Sequence, residues 1–225
     1  MIGLIPNASR VRNDLTALTK RAFQRFEADF GLIGDQPFPA TYTSVARYLA
    51  ARIAVPHWFV RTHVGSAESD QRVNRTPKET VADGGNCVDQ CVLLGSIWAT
   101  MSVPSELLSI NSQERNASHL TAVATVPPTD NRPSSEALTD ELVRLYDALP
   151  SRTVDPDDVH VWTDDGDLRV IADPVFCDYA GDVESMANQG FLTVEDQKPE
   201  WAYHNVIHDV LIPLEAPAHR RHEST

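Results

Sequence analysis

The stretch Gly84-Gly85-Asn86-Cys87-Val88-Asp89-Gln90 runs directly into the apolar segment Cys91-Val92-Leu93-Leu94-Gly95-Ser96-Ile97-Trp98. Two glycines and an Asn cap thus precede a cysteine on the first turn of a buried helix. The unpaired amides of a helix start and the positive end of its dipole favour thiolate over thiol. Downstream, His119 enters a strand-like run and Asp173-Pro174 closes another. Cysteine, histidine and aspartate in that order suit a nucleophile, its general base and the group that orients the base. Each residue also has a plainer reading. Cys87 alone would be a small buried apolar residue, His119 a surface or satisfied histidine, and Asp173 a strand terminator before proline. The glycines and Asn favour a reactive Cys87, because burial alone does not call for a helix start.

The elements that must position these groups are legible from hydrophobic period. Asp14 to Phe30 reads as a helix capped by Asn13 or Asp14, with Leu15, Leu18, Ala22, Phe26 and Phe30 on one face. Gly31 to Pro39 breaks it, and a second helix from about Thr43 to Val55 carries Val45, Tyr48, Leu49 and Ile53. Pro56 to Val60 reads as extended, and Gly65 to Asn74 as a polar loop. Thr76, Pro77 and Glu79 form a capping-box signature for a short helix. The main helix runs from Asn86 to about Met101, with Val88, Cys91, Val92, Gly95, Trp98 and Ala99 on one face and Leu94, Ile97 and Met101 broadening it, so it belongs at the centre.

After Val103-Pro104 the period becomes alternating. Glu106 to Asn111 and His119 to Val126 read as strands of a hairpin around a polar turn, Ser112 to Ser118. Pro127 to Ser135 is a linker, and Glu136 to Leu149 an amphipathic helix turning Leu138, Leu142, Leu145 and Leu149 inward. Val159 to Thr163 and Asp167 to Asp173 flank Asp164-Asp165-Gly166, a hairpin turn signal. Trp201 to Leu214 is a candidate strand, and Ala216 to Thr225 reads as a flexible tail. The expected architecture is α+β in one domain, residues 1–215. A central Cys-bearing helix packs on an antiparallel sheet, with additional helices at the N-terminal end.

With these elements in place, residues 75–175 resemble the transglutaminase-like superfamily of papain-type cysteine enzymes. The resemblance rests on Pro77-Lys78-Glu79-Thr80, Gly85-Asn86-Cys87-Val88-Asp89, Leu93-Leu94, His119 and Asp173-Pro174, in that order. It covers about half the chain; the ends add nothing to it. It implies a papain/transglutaminase-like fold and a Cys87-His119-Asp173 triad acting on a peptide, isopeptide or glutamine amide through a thioester. Asp89 matches an acidic position of the family and reads as structural, bonding near the helix start. Cys91 departs from the family pattern, which more often has a small non-thiol residue there. The backbone N–H of Cys87 is one oxyanion donor, and Trp58 or Gln71 is the candidate second.

Two rivals belong beside this expectation. Cys87, Cys91, Cys177 and one of His119, His204 or His208 would supply a zinc set, although Cys-x-x-x-Cys within a helix is not the usual knuckle. Alternatively, a catalytically inactive transglutaminase-like fold would serve as a binding or structural assembly module. The enzymatic expectation needs no metal and no organic cofactor.

Composition bounds the rest. With 225 residues, 42% of them hydrophobic, the chain can bury a core without staples. A net charge of −13 argues against a nucleic-acid partner, which requires clustered cations. Lysine occurs only at Lys20, Lys78 and Lys198, every other cation is Arg, and Asp outnumbers Glu. Such a surface suits a halophilic protein, since the screening length shrinks to ~3 Å near molar salt. Three cysteines leave at least one thiol free, which fits a reducing, cytoplasmic setting. No signal peptide or run of ~20 apolar residues points to a membrane. The expected partner is a protein or peptide substrate, and oligomeric state is not encoded in any feature above.

Overall fold

Apolar residues at helical spacing and apolar residues in alternation divide this chain into helices and a sheet, and each set covers the other. The computed structural model describes residues 8–31, 44–67, 75–112, 117–149, 154–195, 198–201 and 204–206. Within them lie helices α1 (Ala8–Phe30), α2 (Val45–His63), α3 (Pro77–Asp83), α4 (Cys87–Thr100), α5 (Ser135–Asp147) and α6 (Val183–Asn188). The strands are β1 (Ser105–Ser112), β2 (Ala117–Val126), β3 (Val161–Asp164), β4 (Asp167–Ile171), β5 (Leu192–Glu195), β6 (Lys198–Trp201) and β7 (His204–Val206). The protein is α+β. Gln71, His208, the segment 113–116, most of the candidate strand 201–214 and the tail 216–225 lie outside the described residues.

Five strands form one antiparallel sheet in the order β3-β4-β2-β1-β7, and β5 pairs with β6 separately. Because side chains alternate across a strand, the sheet has two buried faces. Leu107, Leu120, Ala122, Ala124, Leu168 and Val170 join the core made by the large helices. Their neighbours Leu108, Ile110, Val123 and Ile171 join a second cluster with Trp162, Val183, Met186, Phe191 and Leu192. His119 pairs with Ile110 across the β1–β2 ladder, which sets it on the second face.

The expected central helix is α4, packed against α1, α2, β1 and β2. Its start is held by a capping box in which Asn86 accepts from the Asp89 N–H and Asp89 accepts from the Asn86 N–H. The expected box at Thr76 and Glu79 also caps α3. In the β3–β4 hairpin, Asp165 and Gly166 have φ of 48° and 86°, the paired positive values a two-residue turn demands.

Two expectations are corrected. Helix α1 begins at Ala8, so Asn13 and Asp14 are interior and not caps; both are exposed, where a short polar side chain costs a helix little. The residues Pro56 to Val60, expected to be extended, continue α2 to His63. Proline costs a helix interior ~3 kcal/mol. Here every residue from Ala50 to Val60 is buried, so packing on all sides offsets that local preference.

Gly84 and Gly85 allow the chain to cross tightly ahead of α4. A Cβ on Gly84, whose φ is +78°, would lie 2.5 Å from the Gly65 carbonyl oxygen. One on Gly85 would lie 2.6 Å from the Asp89 Cβ. The Gly85 N–H donates to that same Gly65 oxygen at 2.9 Å, tying residues 65–67 to the helix start. Gly84→Ala combines a left-handed backbone penalty of ~1–2 kcal/mol with a backbone clash. Thermal denaturation is expected to show a melting temperature lower by several degrees or more.

Candidate functional site

Cys87 is the first residue of α4, His119 lies within β2, and Asp173 follows β4 by two residues. The structure brings all three together. The imidazole of His119 donates through Nε2 to Asp173 Oδ2 at 2.5 Å, and the Cys87 side chain lies near enough to the same ring for the two groups to shift each other's pKa. Cys87 is half-buried, His119 is 5% exposed and Asp173 is fully buried, so only the sulfur end of the row approaches solvent.

Asp173 is held from every side. Oδ1 accepts the N–H groups of Val175 and Phe176, each at 2.8 Å, while Oδ2 accepts from His119. Its backbone carbonyl accepts from Cys177 N–H at 3.0 Å and from His57 Nε2 at 3.1 Å. Beside it, Arg61 donates to the carbonyls of Pro174 and Val175 and pairs with Asp178. Phe176 lies 4.5 Å and Phe191 5.2 Å from the His119 ring, centroid to centroid, walling the imidazole on the second face of the sheet.

These contacts set the charges. Burial pushes the Asp173 carboxyl up, but the His119 bond and charge and the two backbone N–H groups outweigh it and hold its pKa below the ordinary value. Burial disfavours the charged imidazole, yet Asp173 and Cys87 together raise His119 to about 9. Burial likewise raises the Cys87 thiol, and the bond to His119, a backbone bond from Leu120 and the imidazole charge bring it below its usual value. Both shifts move the pair toward thiolate beside imidazolium.

The other two thiols behave oppositely. Cys91 donates to the Leu120 carbonyl at 3.1 Å and Cys177 to the Asp182 carbonyl at 3.1 Å; burial raises both well above the ordinary thiol range. Among the described residues no three His, Cys, Asp or Glu side chains are grouped to hold a metal ion. In the rival zinc set, Cys91 and Cys177 are instead hydrogen-bonded to backbone carbonyls.

Asp89 bonds at the helix start, as its sequence position suggests, accepting from the Arg75 N–H at 2.8 Å and the Arg75 guanidinium at 3.1 Å. Trp58 is corrected as an oxyanion donor. It stands edge-on to Phe26 and Phe30 and beside His63 in the core between α1 and α2. Gln71, the other candidate, is not among the described residues. As the first residue of α4, Cys87 has a backbone N–H with no intrahelical acceptor, which leaves it available to an oxyanion.

Sequence reasoning missed His57, Arg61 and Tyr146. The first two were hidden by assigning Pro56 to Val60 to a strand, which breaks the helical register that sets them one turn apart. Tyr146 offered no signal beyond a polar tip on an apolar helix face. Two clefts, of about 330 and 440 Å³, are lined by Tyr179, Asp182, Glu184 and neighbours on one side and by His160, Val183 and Leu192 on the other; none of the three site residues lines either.

Compared with models of known protein families, with curated proteins and with solved structures, the chain matches none. No helix among the described residues is long and apolar enough to cross a membrane.

Two outcomes are expected from this geometry. In Asp173→Asn one amide end must face either His119 or the Val175 and Phe176 N–H groups, so a donor meets a donor. The variant should lose Cys87 reactivity nearly as fully as Asp173→Ala, measured by thiol alkylation at neutral pH. Stability has its own pH signature. Because His119 is raised from 6.5 to about 9, its charge stabilises the fold fully below pH 6.5, and that contribution is lost as pH rises through about 9. In urea unfolding, the difference between wild type and His119→Gln should shrink across that window.

Proposed function

We propose that this protein is a thiol-dependent hydrolase or acyltransferase acting on an amide carbonyl of a peptide, isopeptide or glutamine side chain. The observation that carries this reading is His119, bonded at 2.5 Å to a buried carboxylate and electrostatically coupled to a cysteine at a helix start. Arrangements of this kind activate a nucleophile and orient its base.

The Cys87 thiolate attacks the carbonyl carbon, and the Cys87 backbone N–H donates to the oxygen as it gains charge. His119, already protonated, delivers its proton to the departing amine as the carbon–nitrogen bond breaks. A thioester on Cys87 remains. His119, now neutral, takes a proton from water or from an acceptor amine, whose attack releases the acyl group and restores the thiolate beside a protonated His119. Asp173 keeps Nε2 as the donor nitrogen throughout, so Nδ1 is the nitrogen that exchanges the proton. No step calls for metal or organic cofactor. Hydrolysis is the favoured outcome, since water is always present. The order of motifs from Pro77 to Pro174 supports a papain/transglutaminase-like relationship for the fold.

Iodoacetamide labelling followed by peptide mapping tests the reading. Cys87 should react far faster than Cys91 or Cys177 at pH 7. His119→Ala should slow Cys87 acylation by ~10² or more, the loss expected on removing a general acid–base group. Cys87→Ala should remove thioester formation without unfolding the chain. Slow, equal labelling of all three cysteines would instead favour a binding or assembly module.

A further inference from the structure

Helix α2 contributes no member of the Cys-His-Asp row, yet two of its polar side chains, His57 and Arg61, reach the turn that carries Asp173. The spacing of four residues sets both on one helical face. His57 is completely buried, and both ring nitrogens are engaged. A carbonyl oxygen only accepts, so the bond from Nε2 to the Asp173 carbonyl fixes the proton on Nε2. Nδ1 is then an acceptor facing the Tyr146 hydroxyl at 2.9 Å, whose single proton is shared with the more distant Ala54 carbonyl at 3.3 Å. That hydroxyl in turn accepts the Ala180 N–H at 3.0 Å. Burial lowers the His57 pKa to about 4 and raises that of Tyr146, so both stay neutral at ordinary pH. The result is a directed chain from α5 through α2 to the backbone of Asp173.

An apolar residue would fill the position of His57 without any need for two polar partners. Burying an imidazole here has a specific product: the carbonyl of Asp173 is fixed, while its carboxylate is fixed by Val175, Phe176 and His119. Arg61 holds the next two carbonyls of the same turn. Resting on the catalytic reading above, we propose that His57, oriented by Tyr146, is a positioning residue that aims the Asp173 carboxylate at His119 and thereby sustains the reactive Cys87 thiolate.

The test compares pH profiles of Cys87 alkylation by iodoacetamide in the full chain for wild type, His57→Leu, His57→Gln, His57→Asn and Tyr146→Phe, with circular dichroism to verify folding. In His57→Leu the reactive range should move toward that of an ordinary thiol, with the rate at pH 7 down about tenfold or more, as misplacement of a supporting group produces. His57→Gln carries an amide nitrogen near the place of Nε2 and should restore most of the loss. Tyr146→Phe keeps the ring and should show a partial shift in the same direction. A folded His57→Leu protein with the wild-type profile overturns the proposal. If His57→Leu does not fold, a wild-type profile in Tyr146→Phe together with no difference between His57→Gln and His57→Asn overturns it equally. Failure of the catalytic reading looks different: wild-type Cys87 would itself label no faster than Cys91 or Cys177.

Discussion

A carboxylate removed from water must be met by donors or give up its charge. Asp173 is fully buried and meets that condition with three N–H groups on its two oxygens. Everything chemical in the molecule descends from this solution. The satisfied anion raises His119, and the raised imidazole lowers a Cys87 thiol that burial alone would raise. Remove the donors at the bottom of this stack and burial, the largest single influence on each of the three groups, would turn every one of them neutral.

The fold supplies the donors from distant parts of the chain. Strand β2 carries His119 in register with Ile110, against the paired rings of Phe176 and Phe191. The turn after β4 wraps its own N–H groups onto the Asp173 carboxylate. Gly84 and Gly85 let residues 65–67 press against the start of α4, where the Asn86 and Asp89 box fixes the orientation of the first turn. Gln90 adds bonds to the carbonyls of Gly85 and Gly65 at 3.0 and 3.4 Å. Cys87 is thus set in a frame of backbone contacts.

The row of chemical groups was legible in the sequence because each sits at punctuation: glycines and Asn before Cys87, a hairpin near His119, a proline after Asp173. Local rules read punctuation well. The capping boxes of α3 and α4 and the Asp165-Gly166 turn were visible for the same reason. What supports the row was not legible. Pro56 obeys a local rule that tertiary burial overrides, and the assignment of a strand there concealed the face bearing His57 and Arg61. Trp58 looked like a polar reach toward the site, yet its ring belongs to an aromatic cluster with Phe26 and Phe30. A single sequence reports periodicity. It does not report which of two neighbouring residues on a fully buried helix turns toward a loop more than a hundred positions away.

The bond between His57 and Asp173 spans 116 positions, and that between His119 and Asp173 spans 54. Closing such long intervals is among the slower and more entropically demanding events as a chain organises itself. A partly formed intermediate, even one with α4 complete, would hold Cys87 as an unremarkable thiol. The perturbed thiol therefore belongs to the finished fold alone, and a nascent or damaged copy of this chain carries Cys87 as an ordinary one.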